Sequence, residues 1–297
     1  MTIMNIVVAS GKGGTGKTFF STNLFYSFRK MGILSSLVDC DAEAPNSFIF
    51  FSVKKIKEEV ISEYRPVLDR SRCVMCGKCF EYCSYNAIFF LPAMNKIQLL
   101  DDLCHGCAAC SVACTHSAIR DSYKFIGKVT SYRTDEYGLC MFEAKMTPGV
   151  SSAVPVIKSA IKTAIKSSLQ QDINYVILDS PPGTACPFIQ TASCADYVIL
   201  VTEPTPFGLS DLKQAVETLK TMNKEMGVIV NRAGIGNREV YQYLEDELIP
   251  LLGEIPFDKE IAMRYSEGKI AVKEIPSLQV MFENIVNRIV RYGNSSN

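Results

Sequence analysis

Ile3 to Ala9 is a short β-branched run ending at a glycine-rich turn, and Thr18 to Met31 then carries apolar and aromatic residues at helical spacing until Gly32. The pattern predicts a strand, a loop and a helix in that order. Four later runs have the same form: "ILSSLVDCDA" at 33–42, "YVILD" at 175–179, "YVILVTEP" at 197–204 and "MGVIVNR" at 226–232. Each apolar run closes on polar residues, as strands do at the carboxyl edge of a parallel sheet, where ligands bind. Helix-like stretches at 155–170, 208–225 and 237–249 lie among them. The alternation predicts an α/β fold with a mostly parallel sheet and helices on both faces. The last apolar stretch, "LQVMFENIVNRIVRYG", has helical spacing and little basic content. It predicts a closing helix packed on the sheet rather than a membrane-surface helix.

The alternation breaks between about residues 60 and 120, which hold eight of the twelve cysteines. We read residues 61–120 as a module inserted into a domain made of 1–60 and 121–297. Residues 121–154 are expected to form a hairpin that returns the chain to the sheet. A chain of 297 residues can bury a sizeable core, which excludes a disordered protein. Its 31 basic and 31 acidic residues cancel, so it lacks the basic stripe of a nucleic-acid binder, and no nucleic-acid partner is expected. The N-terminus lacks the flanks of a signal peptide, and no run reaches the roughly 18 apolar residues of a membrane span. A cytoplasmic location without a stable membrane anchor is expected. In that reducing setting, closely spaced cysteines point to metal ligation rather than disulfides.

"GKGGTGKT" fits a P-loop in the register Gly11-x-x-x-x-Gly16-Lys17-Thr18, after a strand and before a helix. Backbone N–H groups of Gly13, Gly14, Thr15 and Gly16 and the helix N-terminus would cradle phosphate. Lys17 would reach the outer phosphates, and the Thr18 hydroxyl would ligate magnesium. Lys12 is an additional cation that the nucleotide's own phosphates do not require. With it, the chain outside the cysteine-rich stretch resembles the deviant P-loop ATPases of the MinD, ParA and nitrogenase iron-protein group. The resemblance implies an ATP-dependent dimer, of this chain with itself or with a paralogue, in which Lys12 reaches the partner's ATP much as an arginine finger does. It also implies that Asp41 positions the attacking water, and that Asp39 and Asp179 are the metal-side carboxylates of the two switches. Pro181-Pro182-Gly183 would be a stiff turn sensing the γ-phosphate, Asn231 would read adenine, and "IPFD" at 255–258, with Pro256 and Asp258, would cover the base.

Cys73, Cys76, Cys79 and Cys83 have the spacing C-x2-C-x2-C-x3-C, which Cys104, Cys107, Cys110 and Cys114 repeat 31 residues later. "NAI" at 86–88 and "SAI" at 117–119 keep the register. Paired C-x2-C motifs also bind zinc, but zinc does not need four cysteines in this dense repeated order. Over about 60 residues the stretch resembles a bacterial two-cluster ferredoxin, in which the fourth cysteine of each run crosses to the other cluster. The resemblance implies one 4Fe–4S cluster on Cys73, Cys76, Cys79 and Cys114, and a second on Cys104, Cys107, Cys110 and Cys83. The proline usual after the fourth cysteine is replaced by Ser84 and Thr115, which removes no ligand. Cys40, Cys140 and Cys194 read as small core residues, and His105 as a bystander. For Cys186, packing is favoured over a transient metal or partner contact, since Ser152 stands where a bridging cluster of the nitrogenase type would need its second cysteine.

The whole chain resembles MinD-superfamily ATPases with an inserted ferredoxin domain. Its cofactors are therefore expected to be ATP, magnesium and two 4Fe–4S clusters. The leading expectation is an ATP-hydrolysing protein whose nucleotide switching controls electron transfer to a partner metalloprotein. The alternatives are an ATPase that assembles or inserts a metal cluster in a target, and a positioning switch with redox-sensing clusters.

Overall fold

The computed structural model describes residues 3–295. They form two compact units. The first holds the described residues up to Glu59, Lys128–Met146 and the described residues from Ser152 onward; the second holds Val60–Gly127 and Thr147–Ser151.

The first unit opens with β1 (Met4–Ala9), α1 (Lys17–Lys30) and β2 (Ser35–Asp39), followed by a single 3-10 turn at Ser47–Phe50. Strand β3 (Val53–Tyr64) runs on into the second unit at Val60. There β4 (Val67–Leu68), α2 (Lys78–Glu81), β5 (Ile88–Leu91), β6 (Lys96–Leu99), α3 (Ala109–Ala113) and β7 (Ile119–Arg120) follow. The chain returns along β8 (Tyr123–Thr134) and β9 (Gly138–Met146), whose three-residue connection makes them an antiparallel hairpin. The remainder alternates: α4 (Val154–Leu169), β10 (Tyr175–Asp179), α5 (Cys186–Ser193), β11 (Tyr197–Thr202), α6 (Pro206–Thr221), β12 (Met226–Ala233), α7 (Glu239–Asp246), β13 (Leu251–Pro256), α8 (Lys259–Ser266) and α9 (Pro276–Ser295).

The sheet order is β13-β12-β11-β1-β10-β2-β9-β8-β3. Neighbours from β13 through β9 are all parallel. Helices cover both faces of a parallel sheet, which is why its strands read as unbroken apolar runs rather than alternating ones. The register sets Asp39 opposite Asp179, and Val8 opposite Asp179, so two acidic strand ends meet beside the loop that follows β1.

Helix α1 buries Phe20, Phe25 and Phe28 in the main core, where α9 meets it with Phe282, Ile285, Val286 and Ile289. Phe20 and Phe282 lie 5.2 Å apart between ring centroids. Each such buried ring contributes roughly 2–3 kcal/mol by transfer from water. The apolar face of the closing helix is thus used inside the protein, as its spacing predicts. No helix among the described residues is long and apolar enough to cross a membrane.

The second unit has a core of a different kind. Its buried members are Cys79, Cys110, Ile88, Ile97 and Ile119, with Cys73, Cys83 and Cys114 packed partly buried against them. A unit this small ordinarily needs disulfides or a metal to hold it, and every one of these cysteines is a free thiol. The unit reaches beyond residues 61–120 because the Thr147 amide donates to the Ile126 carbonyl at 2.9 Å, tying the segment after β9 to the start of β8.

Candidate functional site

The glycine-rich loop leads into α1 through Gly16, whose φ of 97° lies in the left-handed region. A β-carbon there would sit 2.3 Å from Asn231 Nδ2, so both conformation and space require glycine. Asn231 Nδ2 donates to the Thr15 carbonyl at 2.7 Å, fastening the loop to the end of β12. The first turn of α1 has no side-chain cap, which leaves its N–H groups for a bound anion.

A cavity of about 410 Å³ opens over this loop. It brings together Gly13, Gly14, Gly16, Lys17, Thr18, Asp41, Asn231, Pro256 and Asp258, all singled out in the sequence. Pro256 ends β13, and Asp258 caps α8 by accepting from the Glu260 amide at 2.7 Å. Asn46, Phe257 and Tyr265 also line the cavity. Tyr265 stacks on Phe50 with centroids 5.2 Å apart, building an aromatic wall that spacing alone does not reveal.

Lys17 is only 7% exposed. Burial lowers its pKa, while the negative charges of Asp179 and Asp41 work to raise it. Asp39 and Asp179 are both buried. Burial pushes both carboxyls up toward neutrality; for Asp39 the charge of Asp179 adds to this, and amide bonds from Ser47 and Asn46 oppose it. For Asp179, Thr18, Lys17 and Ser47 work in the lowering direction. The Asn46 and Ser47 amides each donate to Asp39 Oδ2 at 2.8 Å, and Ser47 Oγ donates to Asp179 Oδ2 at 3.2 Å. Asn46 and Ser47, which hold these carboxylates, were passed over in the sequence. Their only signal was a polar pair a few residues beyond a strand-ending aspartate.

Asp179 Oδ1 is buried and has no hydrogen-bond partner, and Thr15 Oγ1 is in the same state. Two repelling carboxyls, an unpartnered oxygen and a threonine hydroxyl against Asp179 fit magnesium, which takes one or two carboxylates and completes its shell with phosphate and water. A titration consequence follows. The unfolded chain loses these protons in the ordinary carboxylate range, whereas the folded pair keeps them toward neutrality. Stability of metal-free and nucleotide-free protein is therefore expected to fall as pH rises through that interval, and Mg-ADP, which binds the ionised pair, is expected to flatten the slope. Thermal melts at about pH 5 and about pH 8, with and without Mg-ADP, check the sign; a metal-free melting point that rises with pH would contradict it.

Lys12 does not line the cavity. Its Nζ lies 3.7 Å from Glu203 Oε2 and 4.0 Å from Asp211 Oδ2, and Glu203 also pairs with Arg232 at 2.8 Å. In the single chain, the extra loop cation is thus held by carboxylates of its own subunit. Cys186 departs from expectation: it is exposed at the first position of α5 rather than packed, because α5 turns Phe188, Thr191 and Ala192 inward instead. Cys40 and Cys140 are buried, and Cys194 is half-buried.

The cysteine repeat is carried into the backbone. Met75 and Gly106, Gly77 and Ala108, and Asn86 and Ser117 are three pairs 31 residues apart, and all six have φ between 50° and 78°. The Ala87 amide donates to Cys83 Sγ at 3.2 Å, and the Ala118 amide to Cys114 Sγ at 3.3 Å. For Cys114, burial opposes ionisation, but amides of Ala118, His116, Ile119 and Ser117 outweigh it and bring the thiol below its usual value.

Two observations bring cysteines of the two runs together, one around Cys79 and one around Cys83. Burial pushes the Cys79 thiol up, a bond from the Phe80 amide opposes this, and the charges of Cys114, Cys73 and Cys76 push it further. Cys110 is pushed up to about 11 by burial, against the Ser111 amide and with help from Cys104 and Cys107. A small apolar cavity is lined by Cys83, Cys104, Cys107 and Cys110 together. Tyr85 lies over His105 with ring centroids 4.1 Å apart at its rim. Among the described residues, no three His, Cys, Asp or Glu side chains are close enough to grip one ion. Amides aimed at sulfur are the support that thiolate ligands of a metal or cluster receive.

Strand, glycine-rich loop, helix, buried lysine and paired acidic strand ends together define a P-loop nucleotide-binding protein of the α/β class. The family model of the CobQ/CobB/MinD/ParA nucleotide binding domain matches residues 6–272, and the chain belongs to that family. An uncharacterized protein of Methanocaldococcus jannaschii is 30% identical, covering 97% of this chain and 98% of its own. An iron-sulfur cluster carrier protein of Pyrococcus horikoshii is 24% identical, covering 85% of this chain and 74% of its own. Among solved structures, the septum site-determining protein MinD of Pyrococcus horikoshii, complexed with Mg-ADP, has a similar fold. It superposes with a TM-score of 0.55 at 22% identity, over 96% of this chain and 95% of that one.

Proposed function

We propose that this protein binds and hydrolyses ATP, and that the nucleotide state controls electron transfer from two 4Fe–4S clusters to a partner metalloprotein. What supports the reading is the repeated cysteine spacing, with Cys114 acting on Cys79 and with Cys83 lining one cavity beside Cys104, Cys107 and Cys110, in a chain that also holds a P-loop cavity. Two clusters held side by side make a path for electrons. The P-loop supplies a switch, and β3, which leads from the switch residues into the second unit, gives that switch a covalent route to the quartets.

In this reading Lys17 binds the outer phosphates, and the N–H groups of Gly13, Gly14, Thr15 and Gly16 hold the rest. Thr18, Asp39 and Asp179 would hold magnesium, which would neutralise phosphate charge there. Asp41, on the cavity wall, orients the attacking water. Lys12 leaves Glu203 and Asp211 to neutralise charge on the ATP of a second subunit, either a like copy or a paralogue. Asn231, with Pro256 and Asp258, bounds the base end of the cavity. The products are ADP and phosphate, and the setting is cytoplasmic.

The name of the Pyrococcus horikoshii relative favours a second reading, in which the clusters are delivered to a target. An anaerobic redox titration followed by EPR separates the two, run with Mg-ADP and then with Mg-ATP under non-hydrolysing conditions. Electron donation expects two low-potential signals, at least one of which shifts with nucleotide, and iron that stays on the chain through turnover. Iron that leaves for an apo-acceptor in the presence of ATP would favour delivery. A chain that takes up no cluster would sink both.

A further inference from the structure

Helix α4 carries Lys158, Lys162 and Lys166 and no acidic residue. Among the described residues, none of the three lysines enters an ion pair. Beside this helix lies a trough of about 480 Å³ that no step of nucleotide chemistry uses. Lys162 and Lys166 form one wall, and the half-buried Leu139 and the exposed Ile56 contribute apolar floor over the buried Phe142. On the far rim Lys57 is neutralised by Glu59 at 2.7 Å, so the uncompensated charge of the trough is that of the α4 lysines.

The dimensions say what fits. Helix α4 packs on β9, β2 and β10, and the trough opens beyond it over β8 and β3, the last two strands of the sheet. Two strands spaced about 4.8 Å apart make a shelf roughly 10 Å wide, which is the diameter of a helix with its side chains. The α4 wall presents Ser159, Thr163 and Ser167 at four-residue intervals, small side chains that let a neighbouring helix approach closely.

We propose that this trough is a docking surface for an amphipathic α-helix of another protein, with its apolar stripe on Ile56 and Leu139 and Asp or Glu side chains along the flank facing Lys162 and Lys166. The occupant is not one of this chain's own amphipathic helices. Helix α7 buries Val240 and Leu244, and α9 buries Leu278, Phe282 and Ile285, in their own core. The proposal stands independently of the clusters and of ATP hydrolysis.

The probe is a fluorescein-labelled synthetic helix of about 20 residues, with leucines at helical spacing and glutamates on the flanks, titrated onto the full chain by anisotropy. Saturable binding is expected, with gain of helicity by circular dichroism. The double variant Lys162→Glu/Lys166→Glu is expected to weaken it about tenfold, and added salt to weaken it likewise. A second variant, Thr163→Arg, blocks the wall sterically and is expected to abolish binding while the melting point stays unchanged. Absence of saturable binding, equal binding of an analogue with lysine for glutamate, or indifference to both variants would overturn the proposal. So would complete displacement by millimolar pyrophosphate, which would mark a small-anion site. Self-association of the chain that the double variant abolishes would overturn it in favour of a second copy.

Discussion

Lys17→Ala is expected to reduce ATP hydrolysis by at least about a thousandfold, because a preorganised cation aimed at the transferring phosphoryl group acts in a water-poor site. The lysine is buried, and its charge is held there by Asp179 and Asp41. An exposed lysine would lose only a screened interaction on substitution. This one leaves Asp179 without the cation that favours its charge, so that carboxyl should hold its proton to higher pH and bind magnesium less well. Turnover and nucleotide affinity should be measured together on protein shown by its melting point to be folded. A variant retaining a tenth of normal turnover would remove Lys17 from the proposed chemistry.

Cys114→Ser is expected to lower bound iron from about eight to about four per chain, with loss of the cluster shared by Cys73, Cys76 and Cys79. The expectation differs from a simple reading of the repeat, in which Cys114 would serve the quartet of its own run. Cys73→Ser should therefore reproduce the EPR change of Cys114→Ser, and Cys83→Ser should reproduce that of Cys104→Ser. The environment of the sulfur raises the expected effect: the amide of Ala118 donates to it at 3.3 Å, and the surrounding amides favour its thiolate. Serine offers an oxygen in the same nest, but as a poorer ligand to iron. Cys140→Ser, in the core of the other unit, is the control and should leave iron content unchanged. Pairing of the variants within each run, rather than across runs, would refute the crossed assignment.

Much of this was legible in the amino-acid order, for a definite reason. Apolar runs ending in Asp39, Asp179 and Asn231 announce parallel strands whose polar ends meet at one edge, and the structure brings those ends to the loop after β1. Positions that depend on tertiary packing were less visible. Ser47 reaches Asp179 across 132 residues of chain, Glu203 meets Lys12 because β11 lies beside β1 in the sheet, and Asp211 meets it because α6 returns beside the loop. Tyr265 belongs to a helix whose sequence looks like ordinary amphipathic surface. Strand β3, with "KKIKEE" within it, was not among the strands the pattern announced, because an edge strand exposes most of its side chains and the apolar period that marks the inner strands is absent. Cys186 was misplaced because setting aside a bridging cluster at Ser152 left packing as the expected role, whereas the helix that it begins turns other residues inward.

The tie between Asn231 and Thr15, together with the left-handed turn at Gly16, has a kinetic consequence. The chain's own contacts hold the loop in its phosphate-binding shape, so much of its ordering entropy is lost when the protein folds rather than when nucleotide arrives. Association of nucleotide should then proceed at the rate of an ordinary encounter, without a slow rearrangement of the loop. The speed of any cycle built on this site would be governed by later events: closure over the base, release of Lys12 from its carboxylates, and departure of product.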